Sequence, residues 1–146
     1  MRLIAELEPL TESQLLDHAE SVAQMQRQCE VQSIRIAVHW ALMHHPDRLD
    51  PADRALAGRE RPRLFGGEGT PAVTDFAHGT LGPRLGVSTS AASALIADGL
   101  DLTLRLPRLW ARVEQLEVKA SYARFVARRT RELSQAQAAA VDDAVV

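Results

Sequence analysis

Residues 80–98 are the stretch whose residue types and spacing most clearly suggest a function, and their pattern is typical of a helix-turn-helix. Gly82 leaves room where a second helix would cross the first, and Gly86 tolerates the positive φ of a tight turn. Val87 follows as the apolar residue between the helices, and Ser88 is a favourable N-cap for the second helix. Because such a unit lays its second helix in the major groove of DNA, the groove candidates are Thr89, Ser90 and Ser93.

The same stretch is a poor reader of DNA sequence. Residues 89–94 contain no Arg, Lys, Asn or Gln, the residue types that usually read base edges. Pro83 lies in the first helix, where we expect it either to occupy the opening turn or to kink the helix. The positions predicted to face inward and join the two helices are Leu81, Leu85, Ala92 and Leu95.

Basic side chains supply a second kind of contact, to DNA phosphates. The net charge is -2, yet residues 80–133 carry nine basic and five acidic side chains, against eight and twelve in residues 1–79. A single lysine beside sixteen arginines points partly to the codon usage of a GC-rich genome, so a solvated helix face is the alternative interpretation. The candidate phosphate ligands are Arg84, Arg105, Arg108, Arg112, Lys119, Arg124, Arg128, Arg129 and Arg131.

No pattern in the chain predicts catalysis, a metal site or a cofactor. His39 and His44 are five residues apart, which places them on different helix faces, whereas paired metal ligands are three or four apart. The glycines of residues 66–69 lack the Gly-Lys-Ser/Thr ending of a phosphate-binding loop. The chain contains no Asn, so a His-Asn-His nuclease site is excluded from it. The prediction is a non-enzymatic protein.

A long N-terminal helix is predicted over residues 12–44, which contain neither Gly nor Pro. Thr11 and Gln14 form a capping-box pattern at its start. At about 1.5 Å per residue the helix would be roughly 50 Å long, longer than a small domain is wide. It either packs along its own domain or pairs with a helix of another chain through an uneven heptad seam. The seam comprises Leu15, Val22, Cys29, Ile36 and Met43, and the single cysteine is expected to be buried on it.

The remaining elements divide the chain into three parts of an all-α fold. Residues 1–48 hold the long helix, residues 49–69 a short helix and a Gly-rich loop, and residues 70–146 a compact bundle with the helix-turn-helix. The short helix would run from Asp50 to Gly58. No segment alternates polar and apolar residues over its length, so strands are not expected.

Caps and breakers predict where the helices of the bundle begin. Thr70, followed by Pro71, would open one helix, with Phe76 and Ala77 facing inward. Further helix starts are expected at Pro107 and, through a Ser134 cap, at residues 135–145; Gly99 is expected to loosen the chain.

Several motifs together resemble one family. They are Gly69-Thr70-Pro71-Ala72-Val73-Thr74-Asp75-Phe76-Ala77, Leu85-Gly86-Val87-Ser88, Leu95-Ile96-Ala97-Asp98-Gly99-Leu100-Asp101-Leu102, Leu106-Pro107-Arg108-Leu109-Trp110 and Thr130-Arg131-Glu132-Leu133-Ser134. Roughly residues 10–146 resemble the N-terminal helical domain of unknown function of actinobacterial 13E12-repeat proteins, which usually precedes an HNH endonuclease module. A looser likeness exists to the helical DNA-binding domain of ParB-type partition proteins. The resemblance implies an accessory domain whose nuclease module is absent from this chain.

These features lead to two alternative predictions of function. The first is a non-catalytic DNA-binding or DNA-positioning domain whose partner is double-stranded DNA. The second is a helical interaction module that forms a homodimer through residues 12–44 and binds no nucleic acid. No apolar run is long enough to cross a bilayer and no signal-peptide pattern begins the chain, so a cytoplasmic location is predicted.

Overall fold

A computed structural model describes residues 4–48, 52 and 61–145 and shows a mostly helical protein. The long N-terminal helix packs on a compact bundle of shorter helices, which confirms the predicted all-α class. The predicted short helix from Asp50 to Gly58 lies outside the described residues. The helices are α1 (Glu12–Met43), a 3-10 turn (Pro46–Arg48), α2 (Ala77–Leu85), α3 (Thr89–Arg105), α4 (Pro107–Glu114), α5 (Ala120–Thr130) and α6 (Gln135–Val145).

Helix α1 begins at the predicted capping box. The Gln14 N–H donates to Oγ1 of Thr11 at 3.2 Å, and the Thr11 N–H donates to Oε1 of Gln14 at 3.0 Å. Two of the otherwise unpaired N–H groups at this end of the helix are thereby satisfied. The helix ends at Met43, three residues before Pro46. This end is expected, because a proline disrupts the helix that precedes it.

Helix α3 forms the centre of the bundle and packs against every other helix. Its residues Ile96, Leu100 and Leu102 are fully buried. At Gly99 an ideal Cβ would lie 2.8 Å from Cγ2 of Val38, so α1 crosses α3 at a residue without a side chain. The expectation that Gly99 loosens the chain is therefore wrong, because this glycine permits the close approach of two helices inside an unbroken α3.

The connection between α2 and α3 has the turn that the sequence predicts. Gly86 adopts a φ of 70°, and the Val87 N–H donates to the carbonyl of Gly82 at 2.9 Å. Ser88 caps α3 by accepting from the Ala91 N–H at 3.0 Å. Val87 is exposed and does not plug the helix pair, because the two helices meet directly where Gly82 approaches Ala92.

The segment before α2 differs from the expected helix. The Thr70 hydroxyl donates to the Gly67 carbonyl at 2.7 Å, so Thr70 closes a turn instead of capping a helix. Two short strands follow from this path: β1 (Pro62–Arg63) pairs antiparallel with β2 (Val73–Thr74), contrary to the expectation of no strands. Helix α2 therefore starts only at Ala77, which is buried as predicted, whereas Phe76 is exposed.

Pro83 lies in the second half of the nine-residue α2 and not in its opening turn. Helix α2 starts at Ala77, well before Pro83, and ends at Leu85, where the turn at Gly86 follows, so Pro83 lies near the end of the helix. Of the four positions predicted to face inward in the helix pair, Leu81, Ala92 and Leu95 are buried and Leu85 is partly buried.

The N-terminus of α4 is capped by a side chain of α6, which links the two helices. Pro107 is the first residue of α4, as predicted. The backbone N–H groups of Arg108 and Leu109 both donate at 2.9 Å to the buried carboxylate of Asp142 in α6. Ser134 forms the predicted cap of α6 by accepting from the Gln137 N–H at 3.2 Å. An aspartate at a helix N-terminus also complements the helix dipole.

Candidate functional site

Two buried carboxylates on α3 organise the charged residues of the bundle. Asp98 and Asp101 have almost no exposed surface, and a spacing of three residues places them on one face of the helix. Arg124 donates from Nε to Asp98 at 2.7 Å. Arg131 donates to Asp98 and to Asp101, each at 2.7 Å. We call these two aspartates with Arg105, Arg124 and Arg131 the aspartate–arginine network.

Asp98 and Asp101 are not among the residues for which the sequence predicts a role. Their signal was nevertheless present, because two acidic residues interrupt the most apolar helix of the chain at positions that face inward. Charged side chains are almost never fully buried unless they are paired. An apolar helix with two such residues therefore requires basic partners elsewhere in the fold, and Arg124 of α5 and Arg131, which follows α5, are two of them.

Arg105 is the clearest correction among the predicted phosphate ligands. Only 3% of its surface is exposed, and its guanidinium donates to three backbone carbonyls at the end of α5. The distances are 2.9 Å to Arg131, 3.2 Å to Thr130 and 2.6 Å to Leu133. A helix leaves its last carbonyls unpaired, and a buried arginine satisfies them here. The prediction that Arg105 contacts DNA is wrong, because the bundle encloses it.

Arg124 and Arg131 are also committed to the fold, although about a quarter of each side chain is exposed. Burial desolvates the Arg131 guanidinium and lowers its pKa, but hydrogen bonds and charge attraction from Asp101 and Asp98 outweigh this. The pKa of Arg131 is therefore raised above its ordinary value. The Arg131 guanidinium therefore stays positively charged, and its hydrogen bonds go to the buried carboxylates of Asp98 and Asp101.

The remaining predicted phosphate ligands are accessible but come from four parts of the chain. Arg108 pairs with Asp143 at 3.3 Å, and Arg112 pairs with Glu117 at 2.9 Å. Arg128 is half-exposed, with Nε 3.8 Å from a carboxylate oxygen of Asp98. Three further basic side chains are exposed and form no ion pair within residues 4–48 and 61–145: Arg84, Lys119 and Arg129.

The predicted groove residues lie at the start of α3. Thr89 and Ser90 are exposed there, and Ser93 is partly buried. Their hydroxyl groups are the only side-chain donors that residues 89–94 present. This end of α3 is therefore open to a ligand, but the side chains on it can make few base contacts.

The seam of α1 is exposed along its entire length. Leu15, Val22, Ile36 and Met43 each keep between 43% and 49% of their surface exposed, and Cys29 is exposed too. The bundle instead covers a different stripe of α1, formed by Val31, Ile34, Ala37 and Ala41. The expectation that Cys29 is buried is wrong for the isolated chain, because Val31 is the first residue of α1 that the bundle buries, and the buried stripe lies on another face. We call the five predicted residues the α1 seam.

The first half of α1 extends from the bundle without cover on any side. Each residue from Thr11 to Glu30 is classed as exposed, including Leu16 and Met25. Towards the other end of the helix, an open cleft of about 320 Å³ lies beside Ile36 and Met43. Apolar side chains are therefore presented to solvent from one end of α1 to the other.

The described residues form no arrangement typical of a metal centre. No group of three or more His, Cys, Asp or Glu in residues 4–48, 52 and 61–145 is placed to hold a metal ion. None of the helices in these ranges combines the length and apolarity required to cross a bilayer.

Comparison with known proteins returned no match from family models, curated proteins or solved structures. The resemblance to the 13E12-repeat domain therefore stays a prediction. Any functional argument has to start from the two surfaces described above, the α1 seam and the start of α3.

Proposed function

We propose that this chain is a helical interaction module that self-associates through the α1 seam. One observation carries the proposal: the bundle packs on one face of α1 and leaves all five residues of the α1 seam exposed on another. A heptad repeat of apolar residues is the pattern by which two helices pack together. Here the pattern extends from Leu15 to Met43, and nothing in the described chain covers it.

The energetics of a projecting helix support the same proposal. Most helical stability in proteins comes from packing of an apolar face, and isolated helices of ordinary composition are marginal in water. Residues 12–30 are helical, yet every one of them is exposed in the described chain. They also contain no ion pair within the described residues that would support the helix on its own. A second copy of α1 would supply the missing packing.

Replacing Ile36 by aspartate is expected to convert a dimer into a monomer. Ile36 has 49% of its surface exposed in the isolated chain and would be buried in the seam of a pair. Two unpaired carboxylates in that position would each lose their hydration without compensation. Light scattering after size exclusion should show the dimer mass for the unmodified chain and half that mass for Ile36→Asp.

Leu16→Asp is the matched control for this experiment. Leu16 lies on α1 with 70% of its surface exposed, outside the seam, so its replacement should leave the dimer mass unchanged. A monomer mass for the unmodified chain at high protein concentration would contradict self-association. An unchanged dimer mass for Ile36→Asp would remove the α1 seam from the interface.

DNA positioning is the second candidate function, and the geometry of α2 and α3 favours it. The turn at Gly86, the Ser88 cap and the close approach at Gly82 hold the two helices together, and these are features that a DNA-binding helix pair would need. The start of α3 is exposed, and helix N-termini are suited to bind phosphate. The family resemblance implies the same role. Phosphate contact would rest on the exposed residues Arg84, Lys119, Arg128 and Arg129.

Replacing Arg128 and Arg129 by glutamate is expected to remove DNA binding if this second function is correct. Fluorescence anisotropy with a mixed-sequence duplex should show affinity that falls steeply with salt, by a slope of about 0.9 for each phosphate contact. The double variant should lose two such contacts and repel the duplex, so binding should be lost. The control Arg27→Glu with Arg63→Glu changes the net charge equally at exposed positions elsewhere. Equal affinity for both double variants, or no binding at low salt, would contradict this function.

A further inference from the structure

We propose that two copies of α1 pair in parallel and in register, so that each residue of the α1 seam packs against the same residue of its partner. The inference rests on the proposed self-association and specifies its geometry. In heptad terms the seam residues occupy position a, and the second seam position, d, holds His18, Met25, Gln32 and His39.

The contrast between the two seam positions favours the parallel arrangement. In a parallel pair, a residues pack in layers with a residues and d residues with d residues. The five a residues then form apolar layers, and the polar d residues His18, Gln32 and His39 each face their own copy, with which they can form hydrogen bonds. An antiparallel pair places every a residue opposite a d residue, which would set Leu15, Val22 or Ile36 against His or Gln. Burying a polar group without a partner costs free energy, so the mixed layers are the less stable choice.

In the part of α1 before Arg35, the residues beside the seam carry no charge that would oppose two identical helices side by side. Between Gln14 and Ser33 the flanking positions e and g hold only uncharged residues: Gln14, Ala19, Ser21, Gln26, Gln28 and Ser33. Charged residues at these positions normally decide which helices pair and in which orientation. The charged residues of this segment, Asp17, Glu20, Arg27 and Glu30, occupy the outer positions b, c and f.

The bundle covers the face of α1 that lies opposite the α1 seam, where it would not block a partner helix. The buried residues of α1, Val31, Ile34, Ala37 and Ala41, occupy positions b, c and f, which face away from a partner helix, while Arg35 at g and Trp40 at e contact the bundle from the flanks of the seam. A second α1 on the seam would therefore leave the intrachain packing of both copies intact. The two bundles would lie on the outer sides of the pair, at the same end.

Single-cysteine cross-linking tests the register. The chain has one cysteine, Cys29, and it lies exposed on the seam. The set comprises the unmodified chain and two variants in which Cys29→Ser is combined with Val22→Cys or Ile36→Cys. Two cysteines form a disulfide only when their Cα atoms lie within about 7 Å. Under oxygen with copper(II) phenanthroline, all three proteins are expected to form covalent dimers, because every a residue meets its own copy.

Cys29→Ser combined with Ala23→Cys is the control, because residue 23 is exposed on an outer position of α1 and should not cross-link. The mass of each protein is measured by light scattering before oxidation. A dimer that cross-links at only one seam position, or at none, would overturn the parallel register while leaving self-association in place. A monomer mass before oxidation would overturn both the register and the proposed function.

Discussion

Gly67→Ala is expected to destabilise the fold by about 3 kcal/mol or more, although it adds a single methyl group. An ideal Cβ at residue 67 would lie 1.4 Å from Nη1 of Arg105 and 2.6 Å from the backbone oxygen of Arg131. The methyl group would displace the Arg105 guanidinium from the carbonyls that it satisfies at the end of α5. A buried charged group left without its hydrogen bonds would then add to the steric cost.

The loop at Gly67 cannot shift to relieve this contact at low cost. The Gly67 N–H donates to Oδ1 of Asp101 at 2.7 Å, and the Gly67 carbonyl accepts from the Thr70 hydroxyl at 2.7 Å. Moving the backbone outward would break both bonds, one of them to a buried carboxylate. The loop is thus fixed by two hydrogen bonds of Gly67, one to Asp101 of the aspartate–arginine network and one within the loop to Thr70.

Urea denaturation at one fixed protein concentration measures the effect, since a dimer makes stability depend on concentration. Gly79→Ala is the matched control: Gly79 lies in α2, is exposed, and no atom would contact its added Cβ within 4 Å. That variant should be more stable than the unmodified chain by about 0.5–1 kcal/mol, because alanine favours helix over glycine. Equal stability of Gly67→Ala and the unmodified chain would contradict the packing of the loop on Arg105.

The second large effect is expected from Asp98→Asn, which should cost about 3–5 kcal/mol of unfolding free energy. Asp98 has no exposed surface and accepts hydrogen bonds from Arg124 and Arg131 at 2.7 Å each. The amide retains the shape of the carboxylate but removes its charge and one acceptor. Two partly buried guanidinium groups would then face a neutral side chain. A loss of this size is a large share of the stability of an ordinary domain.

Asp143→Asn is the control for Asp98→Asn because it makes the same chemical change at the surface. Asp143 pairs with Arg108 at 3.3 Å, and both side chains are about two-thirds exposed. Exposed ion pairs of this kind contribute at most about 1 kcal/mol, so urea denaturation should show little change. Similar small losses for both variants would show that the Asp98 pairs add little and that Arg124 and Arg131 are free to serve another partner.

The aspartate–arginine network also limits how the basic residues of the chain can be used. The sequence of α5, with Arg124, Arg128 and Arg129, is typical of a positively charged surface. Arg124 and Arg131, the residue that follows α5, instead neutralise carboxylates on the neighbouring α3. Any phosphate-binding surface in this part of the molecule would have to rely on Arg128, Arg129 and residues outside α5.

Local features of the fold were predictable from sequence because their causes are local. The capping box at Thr11, the left-handed turn at Gly86 and the Ser88 cap each depend on a few neighbouring residues, and all three are present. The length of α1 was predictable for the same reason, since no glycine or proline interrupts it before Pro46. The heptad seam could be identified as well, because the repeat is a property of one helix.

Long-range packing decided the features that sequence analysis missed. Nothing near Arg105 in the chain distinguishes it from Arg108, yet one is enclosed by the end of α5 and the other is exposed. Likewise Thr70 followed by Pro71 is a common helix start, but the backbone there closes a turn on Gly67 and continues into a strand pair. The partner in each case lies far along the chain.

The long helix α1 with its capping box, the turn at Gly86 and the apolar seam could be predicted from sequence, because propensity, capping and periodicity act within a few residues. Which charges are internal, and which face of α1 the bundle covers, became clear only from the folded chain. Both depend on contacts between residues distant in the chain, such as Arg131 with Asp101 or Val38 with Gly99. A charged side chain can be buried only where an oppositely charged partner from another element lies beside it. Sequence periodicity does not show which distant residues become neighbours in the fold.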